Sequence, residues 1–270
     1  METRNDNRLM TDLTQKLSME NRRVLITGAS RGLGSVCAQA FSEIGAKLAL
    51  MARSADTLEN VRKSCRSPKD HISIPCDLTD SAQLHRGVEE AQKFLGGFDT
   101  VLHVTGGGLG LRDALISRDD LLALFILNVV VATEINKLVA PGMIHIRKGN
   151  LVHVASVAAS EGVASVGYNT VKAALSAYVR SLGNELAGSN IIVTGISPGG
   201  FLAPGNSWDR LGSMKPEVVN EFIRSRLPRG RLADAKELIP LLVFLSSDAA
   251  SMMGGCLVPI DAGEGKAYLV

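Results

Sequence analysis

The sequence predicts an α/β fold, a doubly wound parallel sheet with helices on both faces. Three observations predict it. Seven short apolar runs, several rich in β-branched residues, recur along the chain. Helical patterns separate most of them, and a glycine-rich turn joins the first run to the first helix. Strands that are apolar on both faces and linked by helical crossovers belong to a parallel sheet covered on both sides. Ligands of such a sheet bind beyond the carboxyl ends of its strands.

Arg23–Gly28 (RVLITG) is the first strand, and Leu33, Val36, Cys37, Ala40, Phe41 and Ile44 then follow helical spacing. Lys47–Ala52, His71–Cys76, Thr100–Val104, Asn150–Ala155, Asn190–Ile196 and Cys256–Ile260 read as the other six strands. Helices are expected over Leu58–Ser64, Ser81–Leu95, Arg118–Val139, Tyr168–Leu186 and Ala235–Leu245. Residues 1–20 read as a loose extension with a short amphipathic end. No composition break or Pro/Gly/Ser linker divides residues 21–270, so they read as a single domain.

Composition excludes several functions. The chain has 270 residues, 46% of them hydrophobic, and a net charge of +2. That balance is too mild to imply nucleic acid. Cys37, Cys65, Cys76 and Cys256 are scattered without a CxxC pair, so buried reduced thiols are expected rather than disulfides. None of the five histidines forms a metal pattern, and no metal is expected; His103 and His153 read as structural. The N-terminus is polar and lacks the apolar core of a signal sequence. The apolar stretch Leu121–Ala132 is interrupted by Asn128 and is too short to span a bilayer. A soluble, cytoplasmic protein with no membrane partner is the expectation.

The turn Thr27–Gly34 (TGASRGLG) follows the first strand and opens the first helix. Gly28, Gly32 and Gly34 let the backbone turn sharply and approach a pyrophosphate. The helix start then offers free N–H groups from the Ser30–Leu33 region and the positive end of a dipole. A tight strand-to-helix turn alone would account for the glycines. Strand, turn and helix in this order are, however, the context that dinucleotide binding requires.

Further along, GYNTVKAALSAY (residues 167–178) carries Tyr168 and Lys172 four residues apart, hence on one helical face, with no carboxylate near. A core tyrosine and a snorkelling lysine would look the same. Together, TGxxxGxG and YxxxK resemble the short-chain dehydrogenase/reductase family in its short single-domain form, from Arg22 to Gly263. Within that family the chain resembles 3-oxoacyl-carrier-protein reductases. The resemblance implies a seven-stranded Rossmann sheet in the order 3-2-1-4-5-6-7 and a homotetramer. Two long helices, Arg118–Val139 and Tyr168–Leu186, are apolar around much of their circumference and suit such an interface.

The resemblance also assigns roles. Tyr168 is the general acid/base, and Lys172 assists it and binds the nicotinamide ribose. An ammonium one turn away in a partly desolvated site would lower the tyrosine pKa. Ser156, after the strand LVHVA, would hold the substrate oxygen; Ser160 is the alternative, because Ser156 lies one residue closer to Tyr168 than the family spacing. Asn128 would hold a water that relays protons to Lys172, where a buried cap or kink is the plainer reading. NADP(H) is expected, because Ala52 and Arg53 occupy the corner where NAD-specific sites place an acid, and Arg31 lies close by. Asp77 matches the acidic residue that contacts adenine, with Leu78 beside it, but a turn or cap residue is an equal reading. Gly106, Pro198 and Gly199 complete the cofactor site.

Two positions depart from the family. VTGGG (Val104–Gly108) replaces NNAG and loses both amides, and Ala203 stands where a threonine usually caps the carboxamide. The expected activity is NADPH-dependent reduction of a carbonyl to a secondary alcohol, with a 3-oxoacyl thioester first among substrates and a ketone or keto-sugar after it. A non-catalytic NADP(H)-binding module is the other reading. Residues 200–226 should form the substrate loop and lid. Arg231 sits in a PxGR turn common in the family, and Arg224, Arg226 and Arg229 beside it could face an acidic carrier protein, a phosphorylated substrate or only solvent.

Overall fold

A computed structural model describes Met10 and residues 12–267. Most of the expected N-terminal extension, residues 1–9 and 11, lies outside them, as do residues 268–270 at the end of the expected domain. Residues 12–17 are helical and exposed, whereas Met19 is buried in the core.

Seven parallel strands form the sheet: β1 (Arg23–Thr27), β2 (Lys47–Ala52), β3 (Ile72–Pro75), β4 (Thr100–His103), β5 (Gly149–Val154), β6 (Ile191–Pro198) and β9 (Leu257–Ile260). Their order is β3-β2-β1-β4-β5-β6-β9, the expected arrangement. A separate two-stranded ladder pairs β7 (Phe201–Leu202) with β8 (Ala233–Asp234). All eight residues of β6 are buried, as are four of the five in β1. Such strands read as continuous apolar runs because both faces are covered.

Alternate strand residues feed two cores. Ile26, Leu50, Leu102, Val152 and Ile196 join one cluster with Phe41 and Leu242. Leu25, Met51, Val101, Leu151 and Val193 join the other with Ile135 and Val171. The first face is covered by α1 (Gly32–Glu43), α2 (Ala55–Ser64) and α8 (Ile239–Leu245). The second is covered by α3 (Ser81–Leu95), α4 (Arg118–Ile146) and α5 (Val166–Ala187). Each fully buried Leu, Ile or Phe contributes roughly 1.5–3 kcal/mol relative to exposure.

Helix α4 has 29 residues, long and apolar enough by length and composition to cross a membrane. It instead lays Leu124, Val129, Val131, Ile135, Val139 and Met143 into the second core. The sequence reading ended this helix at Val139; it continues through Pro141 to Ile146. A π-helical turn at Ile126–Val130 interrupts it and contains Asn128. Residues 200–226 are not simply loop. Beyond β7 they hold α6 (Ser207–Met214) and α7 (Pro216–Arg226), joined by a Trp208–Phe222 ring contact with centroids 4.2 Å apart.

Candidate active site

The glycine turn has the backbone its sequence requires. Gly28 and Gly32 sit at φ +66° and +62°, a region open chiefly to glycine. A Cβ on Gly34 would lie 2.3 Å from the Gly28 carbonyl oxygen, so only glycine lets the helix close on the turn. Leu33 is buried and anchors the helix start. No side chain caps α1, and its first turn holds no acid; the Gly32 N–H is taken by the Pro204 carbonyl, and the N–H groups of Leu33 and Gly34, with the positive dipole end, remain for a ligand. The Thr27 hydroxyl accepts hydrogen bonds from the N–H groups of Val104 and Thr105, locking the exit of β4 to that of β1.

A cleft of about 490 Å³ opens at this turn. Gly28, Ser30, Arg31, Arg53, Asp77 and Leu78, six of the predicted cofactor residues, line it together. Arg31 and Arg53 are exposed at its rim. Oδ1 of Asp77 accepts from both the N–H and the hydroxyl of Thr79. Those bonds, helped by Arg53, hold the Asp77 carboxyl below its usual range. Asp77 is thus a turn residue and a cleft wall at once. Thr105, Leu109 and Ile126 also line the cleft and were not singled out from the sequence. Pro198 ends β6, and Gly199 follows it; Gly199 lines a second cavity of about 340 Å³ rather than this cleft.

Tyr168 and Lys172 project from one face of α5, with the Lys172 Nζ 5.6 Å from the ring centroid. Lys172 is buried, and its Nζ donates to the Val154 carbonyl at 2.9 Å. Ser156 follows β5 directly and caps a short turn, accepting from Ala158 N–H at 3.2 Å. The Ser156 hydroxyl lies beside the Tyr168 phenol. The hydroxyl of Ser160 is directed to the Val157 carbonyl instead. Asn128 is buried and brackets Gly107, accepting from its N–H and donating to its carbonyl, each at 3.0 Å. The amide that an apolar helix would otherwise leave unpaired is therefore satisfied. Gly106 lies at the centre: a Cβ there would sit 2.8 Å from Asn128 Oδ1 and 3.2 Å from Lys172 Nζ.

The electrostatics differ from the sequence argument in one respect. Burial pushes the Tyr168 phenol up, with the Ser156 hydroxyl acting the other way. Burial also pulls Lys172 down to about 8. The lysine was expected to lower the phenol. Desolvation instead drives both groups toward neutrality, and the ammonium spends a hydrogen bond on Val154. A phenol held protonated at neutral pH is a proton donor.

Behind the site, His103 and His153 are buried and neutral. His103 Nε2 contacts Asn136 Oδ1 at 2.8 Å, and Asn136 also donates to Tyr178 at 3.0 Å. The basic run at the lid's end is not a free cationic face: Arg224 pairs with Glu221, Arg226 with Glu161, and Arg229 and Arg231 with Glu237.

A family model described as enoyl-(acyl carrier protein) reductase matches residues 28–264. The chain belongs to the short-chain dehydrogenase/reductase family. It is an oxidoreductase of the kind that interconverts CH–OH and C=O groups. A 3-oxoacyl-[acyl-carrier-protein] reductase of Thermotoga maritima is 29% identical over 252 residues, covering 92% of this chain and 99% of that protein. A 7α-hydroxysteroid dehydrogenase solved with NADH and 7-oxo glycochenodeoxycholic acid superposes with a TM-score of 0.85 at 27% identity, over 95% of this chain and 99% of that one. The L-sorbose reductase of Gluconobacter frateurii, solved with NADPH and L-sorbose, gives 0.86 at 25% identity, over 94% and 100%. The family thus offers neighbours with either nicotinamide cofactor.

Proposed function

We propose that the protein is a cytoplasmic NADPH-dependent carbonyl reductase, reversible as an alcohol dehydrogenase. The convergence of Ser156, Tyr168 and Lys172 beside Gly106 carries this reading. The residues present fit the cofactor. Gly34 closes a cradle that a Cβ would fill, α1 offers the Leu33 and Gly34 N–H donors, and Arg31 and Arg53 suit a 2′-phosphate at the cleft rim. When bound, the dinucleotide supplies the hydride for the carbonyl carbon. The Ser156 hydroxyl donates to the substrate oxygen and orients it. Tyr168 gives its proton to that oxygen as negative charge builds there. The Lys172 ammonium offsets the charge left on the phenolate. Asn128 pins the Gly107 backbone beside them through its two hydrogen bonds.

The substrate we favour is a 3-oxoacyl thioester, on the likeness to the Thermotoga enzyme; a ketosteroid or keto-sugar follows from the other neighbours. The paired lid arginines lend no support to an acidic carrier docking on that face. A homotetramer built on α4 and α5 accords with exposed Leu122 on α4 and Val166 on α5. The second reading, a non-catalytic NADP(H) module, draws on the Val104–Gly108 departure, where the Thr105 hydroxyl is buried without a partner. A carbonyl panel read by NADPH consumption separates the two. Turnover of any ketone supports the reductase, and tight NADPH binding with no turnover across the panel overturns it.

A further inference from the structure

Glu264 belongs to the segment after β9 and has no part in the site described so far. It is 4% exposed, an unusual depth for a carboxylate. Its Oε2 accepts the Gly200 N–H at 2.6 Å. The same atom explains why the preceding residue is glycine: a Cβ on Gly199 would lie 2.5 Å from Oε2 and 2.9 Å from Asp261 Cβ. The carboxylate therefore both bonds and packs against the turn through which the chain leaves β6 for the lid.

The same segment reaches the other end of the lid. Burial, with the neighbouring Asp261 and Glu161 carboxylates, pushes the Glu264 carboxyl above its usual range, while the Gly200 N–H and Arg226, the last residue of α7, act the other way. Arg226 also lies 3.7 Å from Glu161, and its Nη2 is buried without a hydrogen bond. Glu161, five residues beyond Ser156, in turn accepts the N–H groups of Lys266 and Ala267, the latter at 3.1 Å. Asp261 shapes the strap by accepting from Gly263 and Gly265 N–H. One short segment thus ties the first and last residues of the lid to the loop that carries the serine.

We propose that Glu264 is a positioning residue that fixes the Pro198–Gly200 turn against the cofactor. This rests on the reductase reading, since the family resemblance is what assigns Pro198 and Gly199 to the cofactor site. A buried, charge-assisted bond to one backbone N–H sets the turn to a fraction of an ångström, and hydride transfer is sensitive to displacements of that size.

The test compares Glu264→Gln, which keeps an acceptor for Gly200, with Glu264→Met, which fills similar space without one. NADPH affinity is titrated by fluorescence, kcat and KM are measured on a carbonyl that the wild type reduces, and thermal unfolding is followed for each. Glu264→Met should weaken NADPH binding and lower kcat, each by about ten-fold, the scale of one lost charge-assisted hydrogen bond. Glu264→Gln should recover most of both. Equal losses in the two variants, or losses that merely track unfolding temperature, would overturn the proposal, as would wild-type values in Glu264→Met. Should Glu264→Met not fold, the Glu264→Gln values still decide, because positioning requires them to stay within a few-fold of wild type. Absence of turnover in the wild type sinks the reductase reading instead, and NADPH affinity still reports on Glu264.

Discussion

The rings of His103 and His153 stack with centroids 4.5 Å apart, side by side in register across β4 and β5. Burial is the chief reason that both stay neutral, His103 well below the ordinary imidazole range and His153 at about 4. The unfolded chain takes up these protons near pH 6.5, while the folded chain refuses them until far lower. Stability is therefore fully present above about pH 6.5 and falls as the pH drops toward 4. For His153 alone, the fall from 6.5 to about 4 corresponds to roughly 3 kcal/mol. Denaturant titrations at pH 7.5 and 5 should show the loss, and His153→Phe should flatten the slope between them. An unchanged slope in that variant would assign the loss elsewhere.

Tyr168→Phe keeps the ring and removes the proton. Turnover should fall at least ~100-fold, the low end of a general acid's contribution. NADPH binding should persist, because the glycine turn and Arg53 are untouched. Near wild-type turnover would refute the proton-donor role.

Arg31 and Arg53 at the cleft rim should make NADPH bind at least ~10-fold tighter than NADH, about 1.4 kcal/mol. Fluorescence titration of both cofactors measures it, and Arg53→Asp should shrink the gap. Equal wild-type affinities would contradict the assignment.

Gly106→Ala puts a methyl group where Asn128 Oδ1 and Lys172 Nζ already crowd, 2.8 and 3.2 Å away. Displacing Lys172 by a few tenths of an ångström or more should lower kcat by roughly 10- to 100-fold. The fold should survive, since the neighbouring cores are unchanged. Full activity would mean that the amine can shift without consequence.

Light scattering at micromolar concentration should give the mass of a homo-oligomer, with a tetramer expected from α4 and α5. A monomer mass would rule this out.

Much of this was legible in the sequence, for identifiable reasons. The strands were legible because burial on both faces makes them continuous apolar runs, and the glycine turn because its geometry admits few residues. Pro141 signals a stop, so the sequence predicts an end at Val139, yet tertiary packing carries helix α4 seven residues further, to Ile146. The lid helices went unseen because α6 and α7 are short and bury only Val219 between them. The direction of the Tyr168 shift depends on how deeply the site is desolvated, which no spacing reports. Glu264 left no signal at all, because its partner is a backbone N–H sixty-four residues away.

The N–H of Gly32, inside the glycine turn, donates to the carbonyl of Pro204 in the lid at 2.8 Å. On the proposed function, recognition of the dinucleotide and recognition of the substrate would share this piece of backbone. Transplanting a foreign lid to redirect the enzyme toward another carbonyl would carry a second, unintended change in cofactor grip. Libraries that vary residues 205–226 and leave Ala203–Pro204 intact would keep the two properties independent.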